Sequence, residues 1–285
     1  VKPRLPLILA AISALVFLTL GVTWWRDATP QPMLPEQRMV QDGLPLPPQP
    51  PRLGDGPDYD TCLGLLRDDP EEAMRFAQAW EATGGDEGAL HCAALAMIGL
   101  GEPDTAAERL ERIATASGAG RVARASVYGQ AAQAWMMAGD ANRAFGAVTM
   151  ALTLAPDDPD LLVDRSVIQA ALGRYAEALD DLDRSLAIEP DRVEALVFRA
   201  AALRHLERGV EALQAIERAL AISADNAEAL LERGILRQLR GDASGARRDW
   251  ERVMTLAPES MAANLAAQNI ALSEVGPPAG AMPSR

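Results

Sequence analysis

The stretch PDDPDLLVDRSVIQAALGRYAEALDDLDRSLAIEP, residues 156–190, opens and closes on proline, and the interval between those prolines recurs along the chain. Pro156, Pro190 and Pro258 fall on one 34-residue grid, with Ala224 at the remaining mark. A strict period of that length is the signature of stacked helical hairpins. The chain therefore reads first as a repeat protein, and a binding surface is expected before chemistry.

Small and large residues keep their places within the period. Ala144, Ala178, Ala212 and Ala246 stand where two helices of one hairpin approach closely. Val148, Leu182, Ile216 and Trp250, then Leu152, Leu186, Leu220 and Met254, continue an apolar stripe at helical spacing. On the earlier helix Tyr128, Leu162, Leu196 and Leu230 are followed one turn on by Ala132, Ser166, Ala200 and Gly234, so large faces small. Ala138-Gly139-Asp140, Leu172-Gly173-Arg174 and Arg240-Gly241-Asp242 put glycine where a helix ends in the left-handed conformation. The third unit has Leu206-Glu207-Arg208, and its turn is expected to differ. Proline then stops each unit, lacking an amide hydrogen and clashing with the preceding turn.

On these residues the chain resembles the tetratricopeptide-repeat family, whose pattern runs from a large residue through Leu-Gly and Tyr to Ala, Phe and Pro. The resemblance covers residues 125–258, in four in-phase units. It implies an all-α fold, a right-handed α-solenoid of stacked helix-turn-helix hairpins. At the family's tyrosine position Trp135 and Leu203 are acceptable, whereas Gln169 and Arg237 are polar, and those two units are expected to be looser or solvated there.

Composition agrees with a helical core: 49% of the 285 residues are hydrophobic and 4% aromatic. A net charge of −13 argues against non-specific nucleic-acid binding, whose phosphate contacts need a basic stripe, so no nucleic-acid partner is expected.

Leu5 to Trp25 carries no charge. About 21 residues at ~1.5 Å each reach roughly 31 Å, enough for a bilayer's hydrocarbon core. Lys2 and Arg4 before the run, and Trp24 and Trp25 at its far end, suit an uncleaved signal anchor with a cytoplasmic N-terminus. A cleavable signal peptide is the rival, although no Ala-x-Ala site follows. The expected placement is a single-pass protein of a bacterial inner membrane with its repeats in the periplasm. Residues 29–57 are rich in proline and read as an extended spacer of at most ~90 Å at ~3.1 Å per residue.

The domain reading is an anchor over 1–28, the linker over 29–57 and degenerate helical hairpins forming an N-terminal cap over 58–120. Four repeats follow over 121–260 (125–158, 159–192, 193–226 and 227–260), then a capping helix over 261–274 and a tail over 275–285. Helices in the cap are expected near 58–67, 70–83, 87–100 and 103–116. Its Cys62 and Cys92 are neighbours if the helices stack as successive hairpins, and an oxidising compartment permits a disulfide; two buried free thiols is the other reading. A redox pair lacks Cys-x-x-Cys. His91 beside Cys92 finds no fourth ligand, so no metal is expected, and no cofactor.

No nucleophile elbow, phosphate loop or dinucleotide fingerprint stands in a strand-to-helix context, so no enzyme is expected. Arg165, Arg199 and Arg233 recur at one position. Intra-hairpin ion pairs with Asp180, Asp181 and Asp183, with Glu211 and Glu217, or with Asp249 and Glu251 are the plainer account of them, and a row for an acidic ligand is the alternative.

The resemblance also implies a concave groove lined by the first helix of each hairpin. Carried over residue by residue, it gives Gly129, Gln133, Met136 and Met137; Val163, Val167 and Ala170; Val197, Ala201, Arg204 and His205; and Leu231, Ile235 and Gln238. Valine, leucine and isoleucine stand where the family's carboxylate clamp has lysine and asparagine. An amphipathic helix or apolar peptide segment of an envelope protein is the expected partner, held by a scaffold or assembly chaperone. A regulatory subunit of an envelope enzyme and a self-associating homo-oligomer are the alternatives.

Overall fold

The computed structural model describes residues 52–275, and among them are thirteen α-helices and no strand. The chain divides into two compact units, one up to Pro156 and one from Asp157. The first holds α1 (Pro57–Asp68), α2 (Pro70–Ala82), α3 (Asp86–Gly99), α4 (Pro103–Ala116), α5 (Arg121–Met137) and α6 (Ala141–Leu154). The second holds α7 (Pro159–Ala171), α8 (Tyr175–Ile188), α9 (Val193–His205), α10 (Gly209–Ile222), α11 (Ala227–Leu239), α12 (Ala243–Leu256) and α13 (Met261–Val275). Consecutive helices pair as hairpins within each unit.

Local chemistry starts these helices. Proline occupies the first turn of α1, α2, α4 and α7, where a missing N–H costs nothing. Asp69, Asp140, Asp158, Asn226 and Asp242 each accept a backbone N–H of the helix they precede. Such a cap contributes about 1 kcal/mol.

The repeating alanines Ala144, Ala178, Ala212 and Ala246 are buried, and so are Val148, Leu182, Ile216 and Trp250 beside them. Leu162, Leu196 and Leu230 fill the facing positions, each stabilising its hairpin by roughly 1.5–3 kcal/mol. Met254 departs from the stripe and is exposed. Helix α13 packs on α11 and α12 through buried Ala262, Ala263 and Ala266.

Two local expectations are corrected. Glu207 adopts φ 61°, the same left-handed conformation as Gly139, Gly173 and Gly241 at φ 81°, 76° and 85°. Its N–H bonds the carbonyl of Arg204 and that of Arg208 bonds Leu203, repeating the pattern in which Gly173 bonds Ala170 and Arg174 bonds Gln169. The third turn thus keeps the common geometry, because tertiary packing of α9 on α10 fixes it and overrides the residue's own preference. Nor is the fourth unit loose at Arg237. Its guanidinium donates to the buried carboxylate of Asp249 at 2.8 Å. Gln169 is buried as well, with its side-chain oxygen lacking a hydrogen-bond partner.

The inner-membrane placement is also corrected: no helix among the described residues is long and apolar enough to cross a membrane. The longest, α5, has 17 residues, and at ~1.5 Å each it falls short of a ~30 Å hydrocarbon core. The Leu5–Trp25 run and the proline-rich linker up to Pro51 lie outside the described residues.

Candidate functional site

In the second unit the carried-over groove residues separate into two rows. Val163, Val197 and Leu231 are buried between neighbouring helices. One turn further along α7, α9 and α11 stand Val167, Ala201 and Ile235, each half-buried, with Ala170, Arg204 and Gln238 beyond them. Each buried residue and its successor at i+4 lie on one helix face, so their difference in burial comes from how closely the neighbouring first helix approaches at each level. In the first unit Met136 is half-buried and Met137 exposed at the end of α5, while Gly129 is buried.

Two groove residues are engaged within the chain. Arg204 donates to the carboxylate of Glu232 at 2.6 and 3.4 Å, joining α9 to α11. His205 stacks on Tyr175, with ring centroids 4.1 Å apart and planes within 2°. Burial, reinforced by the Arg204 charge, pushes the imidazole down to about 4, so it is neutral at pH 7.

The recurrent arginines are ion-paired. Arg165 donates twice to Asp181, at 2.7 and 2.6 Å, and Arg233 twice to Asp249, at 3.0 and 2.8 Å, each partner 16 residues ahead. Arg199 has Ala215 at that position and turns instead to Asp183, 16 residues behind it in the preceding hairpin, at 2.6 Å. The expected intra-hairpin partners Glu211 and Glu217 are thus not used by Arg199. Arg233 reaches in both directions, with Glu217 at 3.5 Å. Arg233 thus lies between the second helices of two successive hairpins, α10 and α12, and is received by a carboxylate of each.

Sequence reasoning missed a second ladder. Asp157, Asp191 and Asp225, each just after a mark of the period, pair with Arg184, Arg218 and Arg252 (184−157=27, 218−191=27, 252−225=27). The signal was present: an aspartate and an arginine repeat on the same grid at constant separation.

In the first unit Cys62 and Cys92 form a disulfide between α1 and α3, with Cα atoms 6.3 Å apart. It lies in an apolar cluster with Ala77 and Ala93, covered by Leu66, Met74 and Phe76. Both nitrogens of the adjacent His91 are engaged, Nδ1 with the Tyr59 hydroxyl at 2.7 Å and Nε2 with the Gln130 side-chain oxygen at 2.6 Å. The amide oxygen can only accept, so Nε2 carries the proton and the Tyr59 hydroxyl donates to Nδ1. Burial lowers the pKa of His91 and raises that of Tyr59 to about 12, so both stay neutral.

The tetratricopeptide-repeat family matches residues 132–203. No curated protein matches the chain. Among solved structures it is similar to Pseudomonas aeruginosa pilF, at 19% identity and TM-score 0.59, over 74% of this chain and 96% of that one. The APC/C hetero-tetramer Cut9–Hcn1 is similar at 17% identity and TM-score 0.58, over 74% of this chain; this chain spans 42% of that one's length. MamA is similar at 14% identity and TM-score 0.50, over 58% of this chain and 95% of that one. Residues 132–203 thus match the tetratricopeptide-repeat family, and the stacked hairpins have the fold of those solved structures.

Proposed function

We infer that the chain is a non-catalytic protein-interaction scaffold that receives a helix or apolar peptide segment of a partner on the first helices of its hairpins. The observation that carries this reading is the partly exposed row Val167, Ala201 and Ile235, repeated at 34-residue intervals above a buried layer that fixes its position. A rigid row of apolar side chains at regular spacing suits a segment whose own apolar residues recur regularly. With Arg204 neutralised by Glu232, specificity falls to shape and apolar contact.

A photo-reactive residue at Ala201 in the full chain, followed by mass spectrometry of the adducts, tests the reading. Adducts to a partner that disappear in a folded Val167→Glu, Ile235→Glu variant support it. Adducts unchanged by that variant, or confined to copies of the chain itself, overturn it.

A further inference from the structure

The first unit has a concave site apart from the groove row. Helix α4 turns Arg109, Arg112, Ile113 and Ala116 toward Leu90 of α3, and a cavity of about 380 Å³ lies between them. Clefts of ~300–1,000 Å³ hold small ligands or single side chains. The apolar wall consists of Leu90, which is exposed, with Ile113 and Ala116. Arg109 and Arg112 stand one helical turn apart on the same face.

Those two guanidiniums are set apart by what surrounds them. Glu87 and Ser117 also line the cavity, and the carboxylates of Glu87, Glu108 and Glu111 are each directed to a group other than the two arginines. Glu87 accepts from the Ser117 hydroxyl at 2.5 Å and from the Gly118 N–H at 3.3 Å. Glu108 meets Arg143 at 3.4 Å, and Glu111 accepts from the Trp135 indole at 3.1 Å. Among the described residues neither Arg109 nor Arg112 has an ion-pair partner, whereas the arginines of the second unit's two ladders all do. Against the single carboxylate of Glu87 in the lining, the two uncommitted guanidiniums leave the cavity net positive on a chain of net charge −13.

We propose that this cavity is a second docking site, which takes a partner peptide segment carrying an acidic residue next to a large apolar one. The carboxylate is held by Arg109 and Arg112, whose planar donors match it in forked geometry, and the apolar side chain enters against Leu90, Ile113 and Ala116. The site lies wholly on α3 and α4 and does not depend on the groove reading.

A displayed library of random peptides selected on the intact full-length chain tests it, with the affinity of the enriched peptides then measured on the chain and on variants. Enrichment of peptides pairing Asp or Glu with Leu, Ile, Phe or Met, and a loss of about tenfold or more in Arg109→Ala, Arg112→Ala, is the expected result. Leu90→Asp, on exposed surface, should weaken the same peptides, while Val167→Glu, Ile235→Glu should leave them unchanged. Peptides of another composition, insensitivity to the arginine variant, or no enrichment overturns the proposal. A photo-reactive residue at Ile113 that labels residues 1–51 of the same chain also overturns it, since the cavity would then be filled from within.

Discussion

The Cβ atom that Gly234 lacks would stand 2.2 Å from Nε1 of Trp250, which itself donates to the carbonyl of Leu231 at 3.3 Å. At this one hairpin the large member of the facing pair is an indole, and its partner has no side chain at all. Gly234→Ala should therefore destabilise the second unit by about 1–3 kcal/mol, although alanine is the better helix former. Ser166→Ala, at the equivalent position of another hairpin, should cost far less. Urea unfolding followed by tryptophan fluorescence measures the difference, and equal effects would refute the close-contact account.

Glu207 supplies the opposite case. A side chain held at φ 61° costs roughly 1–2 kcal/mol that glycine would not incur. Glu207→Gly is expected to raise stability by about 1 kcal/mol, less the entropy glycine adds to the unfolded chain. A lowered denaturation midpoint would show that the carboxylate makes a contribution not visible in the turn.

The arginine ladder predicts unequal costs for chemically identical changes. Asp181 is 4% exposed and pairs with Arg165, whereas Asp183 is 51% exposed and pairs with Arg199. Asp181→Ala strands a partly buried guanidinium and should cost about 2–3 kcal/mol. Asp183→Ala should cost less than about 1 kcal/mol and lose even that effect in high salt. Thermal melts at low and high ionic strength separate the two.

His91 makes stability depend on pH. Its folded pKa lies below the usual ~6.5, so below that value the unfolded chain binds a proton that the folded chain refuses. Stability is fully present above ~6.5 and falls as pH drops toward the folded value, by at most about 1.4 kcal/mol per pH unit for this one group. The neutral stack of His205 on Tyr175 acts in the same direction. Denaturation midpoints at pH 7.5 and 5.5 should differ for the native chain and converge in His91→Gln, His205→Gln; an undiminished difference would assign the slope to carboxylates.

How far the sequence could be read followed from where the information lay. Positions such as Ala178, Leu182 and Leu162 repeat because a core repeats, and periodicity alone placed them inside. Cys62 and Cys92 could be placed as neighbours only conditionally, since α1 and α3 do not share the strict period. The positions proposed for a groove could be named from the resemblance as helix positions, but the separation of Val197 from Ala201 depends on how closely successive first helices approach. That distance is a property of packing and not of any one helix. Gln169 and Arg237 were misread together because polarity was taken to imply solvent. Only the facing residue distinguishes them: Asp249 for Arg237, and no partner for the Gln169 oxygen. The cavity beside Leu90 had no signature, because Arg109 and Arg112 look like ordinary helix charges until their neighbours' commitments are known.

The two kinds of ion pair differ in how they would survive recombination. Pairs such as Asp191 with Arg218 cross a unit boundary, but both members recur on the grid, so excising residues 193–226 would bring Arg252 to the place of Arg218 opposite Asp191. The contact from Arg204 to Glu232 also crosses a unit boundary, but it has no counterpart on the grid. Excision of residues 193–226 would bring Ala170 to the place of Arg204 and leave the Glu232 carboxylate buried opposite a methyl group. Excision of residues 159–192 would likewise put Thr149 at the place of Asp183 opposite Arg199, so the second, third and fourth hairpins are inherited together.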